Sequence, residues 1–173
     1  MKNALFIGRF QPFHLGHLDG LKQILEFANE FDNLILAIGS AEEDFAPRNP
    51  FTASERFQMI LQVLRDEGIP TEKIFITPVR DVGRNSIWVH HLRKILPDFQ
   101  QVFSGSGFVR HLFENEKDLA VHRLNKNLPI CATQVREAIL QGESWQELVP
   151  AAVKNFLEKI GAARRLKKIA FSK

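Results

Sequence analysis

A pair of histidines follows the first apolar segment of the chain. His14 and His17 are three residues apart and come shortly after Gly8 and Arg9. At the start of a helix, side chains with this spacing lie on one face, so both imidazoles can reach one ligand. The free N–H groups and the dipole of a helix start attract an anion, and Arg9 adds positive charge. Because Gly8 has no Cβ and lets the backbone approach a ligand, the pattern indicates a polyphosphate site.

Two other interpretations of the histidine pair are open. The imidazoles could bind zinc, but no third cysteine or carboxylate ligand is obvious in the neighbouring sequence. They could also be structural histidines with satisfied hydrogen bonds. The G-x-G-x-x-G fingerprint of dinucleotide-binding folds and the P-loop motif are both absent from the sequence, which disfavours those two kinds of nucleotide site.

Composition limits the class of protein. The 173 residues, of which 45% are hydrophobic and 25% charged, predict one globular domain over 1–173 and exclude a disordered chain or a coiled coil. The net charge of +3 suits anionic ligands and is too small to require nucleic acid. The single cysteine, the lack of a long apolar leader and the lack of an 18-residue apolar run predict a cytoplasmic protein with no membrane partner.

Short β-like runs alternate with amphipathic helical segments along the chain. The strands are predicted at 4–7, 34–38, 74–77 and 101–104, with a weaker one at 119–122. Capping boxes at 52–55 and 144–147 predict helices to about 66 and 160. Further helices are predicted at 18–28, 86–96 and 134–140, and the C-terminal end from about 144 to 173 is expected to be helical.

This alternation predicts right-handed βαβ units and therefore an α/β fold with a parallel sheet. In such sheets a ligand binds beyond the carboxyl ends of the strands, near the point where the strand order reverses. The loops that open at Gly8, Gly39, Val79 and Ser104 are therefore the places to expect a site.

The segment GRFQPFHLGH, residues 8–17, resembles the HxGH signature of the nucleotidyltransferase superfamily, and its extended form is similar to archaeal-type nicotinamide-nucleotide adenylyltransferases. The resemblance covers nearly the whole chain. It implies a Rossmann-like, doubly wound parallel sheet flanked by helices.

A second signature of that superfamily, ISxTxIR, is matched in part. The chain reads ICATQVR at 130–136, so Thr133 and Arg136 match while Cys131 and Ala132 depart from the pattern. From the residues alone, Thr133 is a suitable N-cap, and Arg136 lies over the same helix start. The two residues predict a second phosphate-holding helix start, although a plain cap and a solvated arginine would show the same pattern.

The resemblance implies a reaction: ATP and nicotinamide mononucleotide give NAD and pyrophosphate by in-line attack on the α-phosphate. Mg²⁺ would arrive with ATP, no metal site of the protein itself is expected, and a homo-oligomer is implied. The catalytic residues carried over by the resemblance are His14, His17, Arg48 and Arg136. The ATP-binding residues are Gly8, Arg9, Phe10, His14, His17, Gly105, Thr133 and Arg136. The mononucleotide-binding residues are Arg9, Ser40, Asp81, Asn85 and Trp88.

Each of these assignments has a simpler alternative. Arg48 could be a plain loop charge, Asp81 a turn residue and Trp88 a core residue. At the level of function, the alternatives are adenylyl or cytidylyl transfer to another phosphate, such as a phosphopantetheine-like compound, and a nucleotide- or RNA-binding module without catalysis. The basic segment 164–168 could contact RNA, but a solvated face of a terminal helix is favoured, and no nucleic-acid partner is expected.

Overall fold

Five parallel strands form the central sheet of the computed structural model, which describes residues 1–171. The strands are β1 (Asn3–Gly8), β2 (Asn33–Ile38), β3 (Ile74–Pro78), β4 (Gln101–Ser104) and β5 (Ala120–Arg123). They lie in the order β3-β2-β1-β4-β5, and each neighbouring pair is parallel. The order reverses between β1 and β4, so the loops after these strands diverge and leave a crevice at the carboxyl edge. The predicted α/β fold is confirmed.

Helices cover both faces of the sheet. They are α1 (Leu15–Glu26), α2 (Ala53–Asp66), α3 (Trp88–Ile95), α4 (Gly107–Phe113), α5 (Ala132–Gln141), α6 (Ala151–Lys159) and α7 (Ala162–Phe171), with short 3₁₀ turns at Asn85–Ile87 and Gln146–Leu148. Within residues 1–171, every helix is too short or too polar to span a bilayer.

Alternate residues of the inner strands belong to two separate hydrophobic cores. In β1, Ala4 and Phe6 pack with residues of α1, α2, α5, α6 and α7, whereas Leu5 and Ile7 pack with residues of α3 and α4. Successive side chains of a strand point to opposite faces, so a sheet covered on both sides buries all of them. The near-continuous apolar runs of β1 and β2 follow from this arrangement.

Two helix boundaries follow local caps that the sequence predicts, whereas the capping box predicted at 144–147 does not begin an α-helix at residue 145. The capping box before α2 is present: Thr52 Oγ1 accepts from the Glu55 backbone N–H at 3.2 Å, and Glu55 Oε2 accepts from the Thr52 N–H at 2.9 Å. Gly142, with φ +75°, ends α5 as expected. Helix α1 begins three residues before the predicted start at 18 and ends two residues before the predicted end at 28.

The helix predicted from 145 to 160 is wrong in its first part. A 3₁₀ turn lies at Gln146–Leu148, and α6 begins only after Pro150. The residue before a proline avoids the helical region, and Val149 is extended, with φ −128° and ψ 154°. The predicted helix at 86–96 likewise divides into a 3₁₀ turn and α3, and α4 was not predicted at all.

Candidate active site

A cavity of about 1190 Å³ opens at the carboxyl edge of the sheet, in the crevice between β1 and β4. Sites for one drug-sized ligand have about 300–1,000 Å³, so this cavity is large enough for a ligand of dinucleotide size. The loops that follow all five strands contribute to its wall. Ten predicted site residues lie there: Gly8, Arg9, His14, Ser40, Arg48, His17, Asp81, Asn85, Trp88 and Gly105.

The two histidines stack on each other at the start of α1. His14 is the N-cap residue, and the centroids of its ring and the His17 ring are 3.6 Å apart. The backbone N–H of His14 donates to Nδ1 of His17 at 3.2 Å. Because Nδ1 of His17 accepts, a neutral His17 ring carries its proton on Nε2. The predicted convergence of the imidazoles is therefore present, and His17 offers an N–H donor.

Both imidazoles are neutral at physiological pH. Burial lowers the pKa of His14 to about 4. Burial, and then repulsion from His14, hold the pKa of His17 well below its usual value of 6.5. His14 is only 6% exposed, and its Nδ1 has no hydrogen-bond partner among residues 1–171. The pair therefore acts on a ligand through hydrogen bonds rather than through positive charge.

Phe10 supports the histidine pair by packing against His17. Its side chain is 1% exposed, and its ring lies 4.8 Å from that of His17, edge to face. A Cβ on Gly8 would meet the Phe10 ring at 2.9 Å, so the glycine leaves room for this ring. The Phe10 ring is buried under His17 and supports it, and the ATP-binding role of Phe10 stays a prediction.

The start of α5 lies beside the cavity. Cys131 is the last residue along the chain that lines the cavity, and it is also the N-cap of α5. The expected N-cap role of Thr133 is therefore wrong. Because the backbone is extended at Cys131, α5 begins at Ala132, two residues before the predicted start at residue 134. Nη1 of Arg136 donates to the Gln11 carbonyl at 2.8 Å, and Nη2 donates to Thr133 Oγ1 at 3.2 Å. This arginine joins α5 to the loop that carries the histidines.

Positive charge gathers on this side of the cavity. Burial lowers the pKa of Arg136, and repulsion from Arg9 and Arg48 lowers it further. Both of these arginines are exposed and lie in the cavity wall. A polyanion would relieve the repulsion among the three guanidinium groups, which matches the predicted binding of a triphosphate.

The opposite side of the cavity is held by a short chain of hydrogen bonds. The Ser40 hydroxyl donates to Asp81 Oδ2 at 2.6 Å, and Trp88 Nε1 donates to Asp81 Oδ1 at 3.4 Å. Asn85 begins the 3₁₀ turn before Trp88 and is exposed. The Trp88 ring also packs against Phe113 with 5.8 Å between centroids, so it lines the cavity and contacts the core at once.

Arg56 joins the two sides and was not singled out from the sequence. It is fully buried, and its guanidinium donates to four backbone carbonyls, those of Thr52, Arg9, Gly39 and Ser40, at 2.7 to 3.2 Å. Burial lowers the pKa of Arg56 to about 10, while nearby carboxylates, Asp44 first, act to raise it. No signal in the sequence indicated this role, because three of the four partners, Arg9, Gly39 and Ser40, come from other loops.

Two other residues of the cavity wall, Phe108 and Lys126, were not predicted from the sequence. Phe108, the second residue of α4, is 57% exposed, and Lys126 lies in the loop after β5. The large apolar residue after Gly105-Ser-Gly was the available signal for Phe108. Within residues 1–171, no group of three His, Cys, Asp or Glu side chains is placed to hold a metal ion.

Comparison with known proteins places the chain in a family. A model of cytidylyltransferase-like proteins matches residues 5–138. Nicotinamide-nucleotide adenylyltransferases of Methanolobus tindarius and Pyrobaculum aerophilum are each 39% identical to the chain, over 99% and 96% of its length and 96% and 93% of theirs. The chain belongs to the nicotinamide-nucleotide adenylyltransferase family, within the cytidylyltransferase-like proteins.

Solved structures share the fold of this adenylyltransferase family member. A bifunctional NMN adenylyltransferase/ADP ribose pyrophosphatase of Francisella tularensis, complexed with AMP and a Mn ion, has a TM-score of 0.77 at 24% identity. It matches 97% of the chain, which spans about half (51%) of that protein. Plasmodium falciparum nicotinic acid mononucleotide adenylyltransferase has a TM-score of 0.67 at 14% identity, over 95% of the chain and 98% of that protein.

Proposed function

We propose that the protein transfers the adenylyl group of ATP to nicotinamide mononucleotide, giving NAD and pyrophosphate. The observation that carries the proposal is the stacked, neutral His14–His17 pair at the start of α1, within a cavity of dinucleotide size. Membership of the nicotinamide-nucleotide adenylyltransferase family supports the same reaction. Transfer to a phosphopantetheine-like phosphate is not favoured by these relatives.

The proposed step is a single displacement. A phosphate oxygen of the mononucleotide forms a bond to the α-phosphorus of ATP, and the bond from that phosphorus to the bridging oxygen breaks as pyrophosphate leaves. Catalysis rests on positioning and on stabilising the charge that develops on the phosphates. His17 would donate from Nε2 to a phosphate oxygen, and His14 would contact the same triphosphate. Arg9, Arg48 and Arg136 would neutralise the departing charge.

The mononucleotide would bind on the side formed by Ser40, Asp81, Asn85 and Trp88. The indole ring at the cavity wall offers a face for the cationic pyridinium, a contact worth about 0.5–2 kcal/mol. Asp81 would accept from the carboxamide or the ribose while its other hydrogen bonds hold it in place. Gly105 and the start of α4 would approach the adenosine part.

Mg²⁺ would enter with ATP as part of the substrate. It prefers to keep several water ligands and to bind through phosphate oxygens. We therefore assign the cation to the substrate phosphates and assign no residue of the chain to it. We also propose that the chain folds as a single domain, works in the cytoplasm and assembles as a homo-oligomer. Light scattering on the purified protein would test the homo-oligomer.

The experiment is a panel of acceptors incubated with ATP and Mg²⁺. Nicotinamide mononucleotide, nicotinic acid mononucleotide, phosphopantetheine and glycerol phosphate would be compared by pyrophosphate release, with NAD measured by chromatography. We expect NAD and pyrophosphate in equal amounts from nicotinamide mononucleotide. Turnover with phosphopantetheine and none with either pyridine mononucleotide would reject the proposal.

A further inference from the structure

The C-terminal helix α7 is fastened to the start of α2 by a two-point ion pair. Nη1 of Arg165 donates to Glu55 Oε2 at 2.6 Å, and Nη2 donates to Glu55 Oε1 at 2.8 Å. The two side chains are 18% and 17% exposed. Burial alone would raise the pKa of Glu55, but hydrogen bonds from Arg165 and Thr52 bring it below its usual value. A forked, mostly buried pair of this kind holds its partners more firmly than a surface salt bridge does.

The remaining contacts of Arg165 lie on both sides of Arg48 in the sequence. On the N-terminal side, the Arg165 guanidinium lies 4.9 Å from the ring centroid of Phe45. On the C-terminal side, its Nη1 donates to the Pro50 carbonyl at 3.4 Å, and Phe51 lies 5.9 Å away. One side chain of α7 therefore contacts the loop three residues before Arg48 and two residues after it.

The loop between β2 and α2 is held at residues 46 and 49 by its own backbone hydrogen bonds, and Arg165 contacts it at Phe45. Its residues from 42 to 45 are exposed, and Phe45 has a φ of +47°, which is costly for a residue with a side chain. More than half of the Phe45 ring is exposed, so burial in the core does not compensate for this conformation. The contact between the ring and the Arg165 guanidinium is a cation–π interaction that favours the observed loop.

We propose that Arg165 is a positioning residue that sets the loop around Arg48, so that Arg48 faces the triphosphate side of the cavity. The inference rests on the proposed function, in which Arg48 contacts ATP. In this proposal one arginine of the basic segment 164–168 positions a substrate-binding loop, whereas the sequence predicted that the segment is a solvated helix face. Arg164, next to it, is exposed and serves as a matched control.

The test is a double-mutant cycle between Arg165→Met and Arg48→Ala. Methionine keeps an unbranched apolar stem and removes the fork and the charge. We expect Arg165→Met to lower kcat/KM for ATP about tenfold, mainly through KM, and Arg164→Met to change it less than about twofold. In the Arg48→Ala background, Arg165→Met should cost less than about twofold further, because the group that it positions is gone.

A merely structural role gives a different result. If Arg165→Met lowers kcat/KM by the same factor with and without Arg48, the inference is overturned. If Arg165→Met does not fold, Phe45→Ala replaces it in the cycle, and the same non-additivity is expected with a smaller loss of about threefold. The dissociation constant for ATP, measured by calorimetry over the same cycle, needs no turnover. It therefore separates failure of this inference from failure of the proposed reaction.

Discussion

The two sides of the cavity are built in different ways. On the triphosphate side, His14 and His17 are placed by residues of their own segment. Phe10 and Phe13 pack against His17, His14 stacks on His17, and the start of α1 fixes their spacing. On the mononucleotide side, Asp81 is held by Ser40, which lies 41 residues away in the sequence. The histidine pair is built locally and leaves a motif in the sequence, whereas a hydrogen bond between distant loops does not.

The two sides of the cavity also differ in the sign of their charge. Arg9 and Arg48 line the triphosphate side of the cavity, and Arg136 lies beside it in the first turns of α5. On the other side, Asp81 and Glu42 carry negative charge, and the backbone N–H of Asp81 donates to the Glu42 carboxylate at 3.1 Å. A polyanion and a pyridinium cation therefore find complementary sides in one cavity, and each side can be tested separately.

Removing Arg56 should disturb both sides at once and have the largest effect. Arg56→Leu removes the side-chain donor of four carbonyls, of which those of Thr52 and Ser40 keep a backbone donor. We expect the free energy of unfolding to fall by about 2–4 kcal/mol. Denaturant unfolding followed by circular dichroism would measure the change. Arg65→Leu, at an exposed position of the same helix, should change it by less than about 0.5 kcal/mol. Equal losses in the two variants would contradict the joining role of Arg56.

His17→Ala should affect the triphosphate side alone. Loss of a donor to developing charge costs about 10²–10³-fold in kcat, and we expect the KM for nicotinamide mononucleotide to change little. Steady-state kinetics would measure both constants. His111→Ala, whose side chain is 73% exposed, is the control. A loss confined to KM with unchanged kcat would mean that His17 only binds the ground state.

The buried histidines should make stability depend on pH. An unfolded chain protonates these imidazoles near pH 6.5, whereas the folded chain protonates His14 only near pH 4. The unfolded state therefore holds more protons in this window, and the free energy of unfolding should fall as pH falls from 6.5 toward 4, by about 1.4 kcal/mol per pH unit for each histidine. Chemical unfolding at pH 7.5, 6 and 5 would measure it. His14→Asn should flatten the dependence, and exposed His90→Asn should leave it unchanged.

Trp88→Ala should have the smallest effect and should be confined to the mononucleotide side. Loss of a cation–π contact of about 0.5–2 kcal/mol predicts a 2- to 30-fold rise in KM for nicotinamide mononucleotide, with the KM for ATP unchanged. Trp88→Phe should recover part of the loss. An equal rise in both KM values would show that Trp88 acts through the core contact with Phe113 instead.

The sequence was informative where structure is local. The strand runs, the capping box at Thr52 and the spacing of His14 and His17 all depend on neighbours within a few residues. The roles of Arg56 and Arg165 depend on partners up to 115 residues away, so no local pattern indicated them. The positive φ of Ser40, at +48°, also has no signal in its residue type. The assignment of the individual site residues stays a prediction for the experiments above.

The most direct test of the account is the stereochemistry at the transferred phosphorus. ATP with sulfur in one configuration on its α-phosphate would be converted with nicotinamide mononucleotide, and the configuration of the thio-substituted NAD determined by NMR. A single in-line displacement predicts complete inversion. Retention would show two displacements through a covalent enzyme intermediate and would contradict a site that works by positioning and charge stabilisation alone.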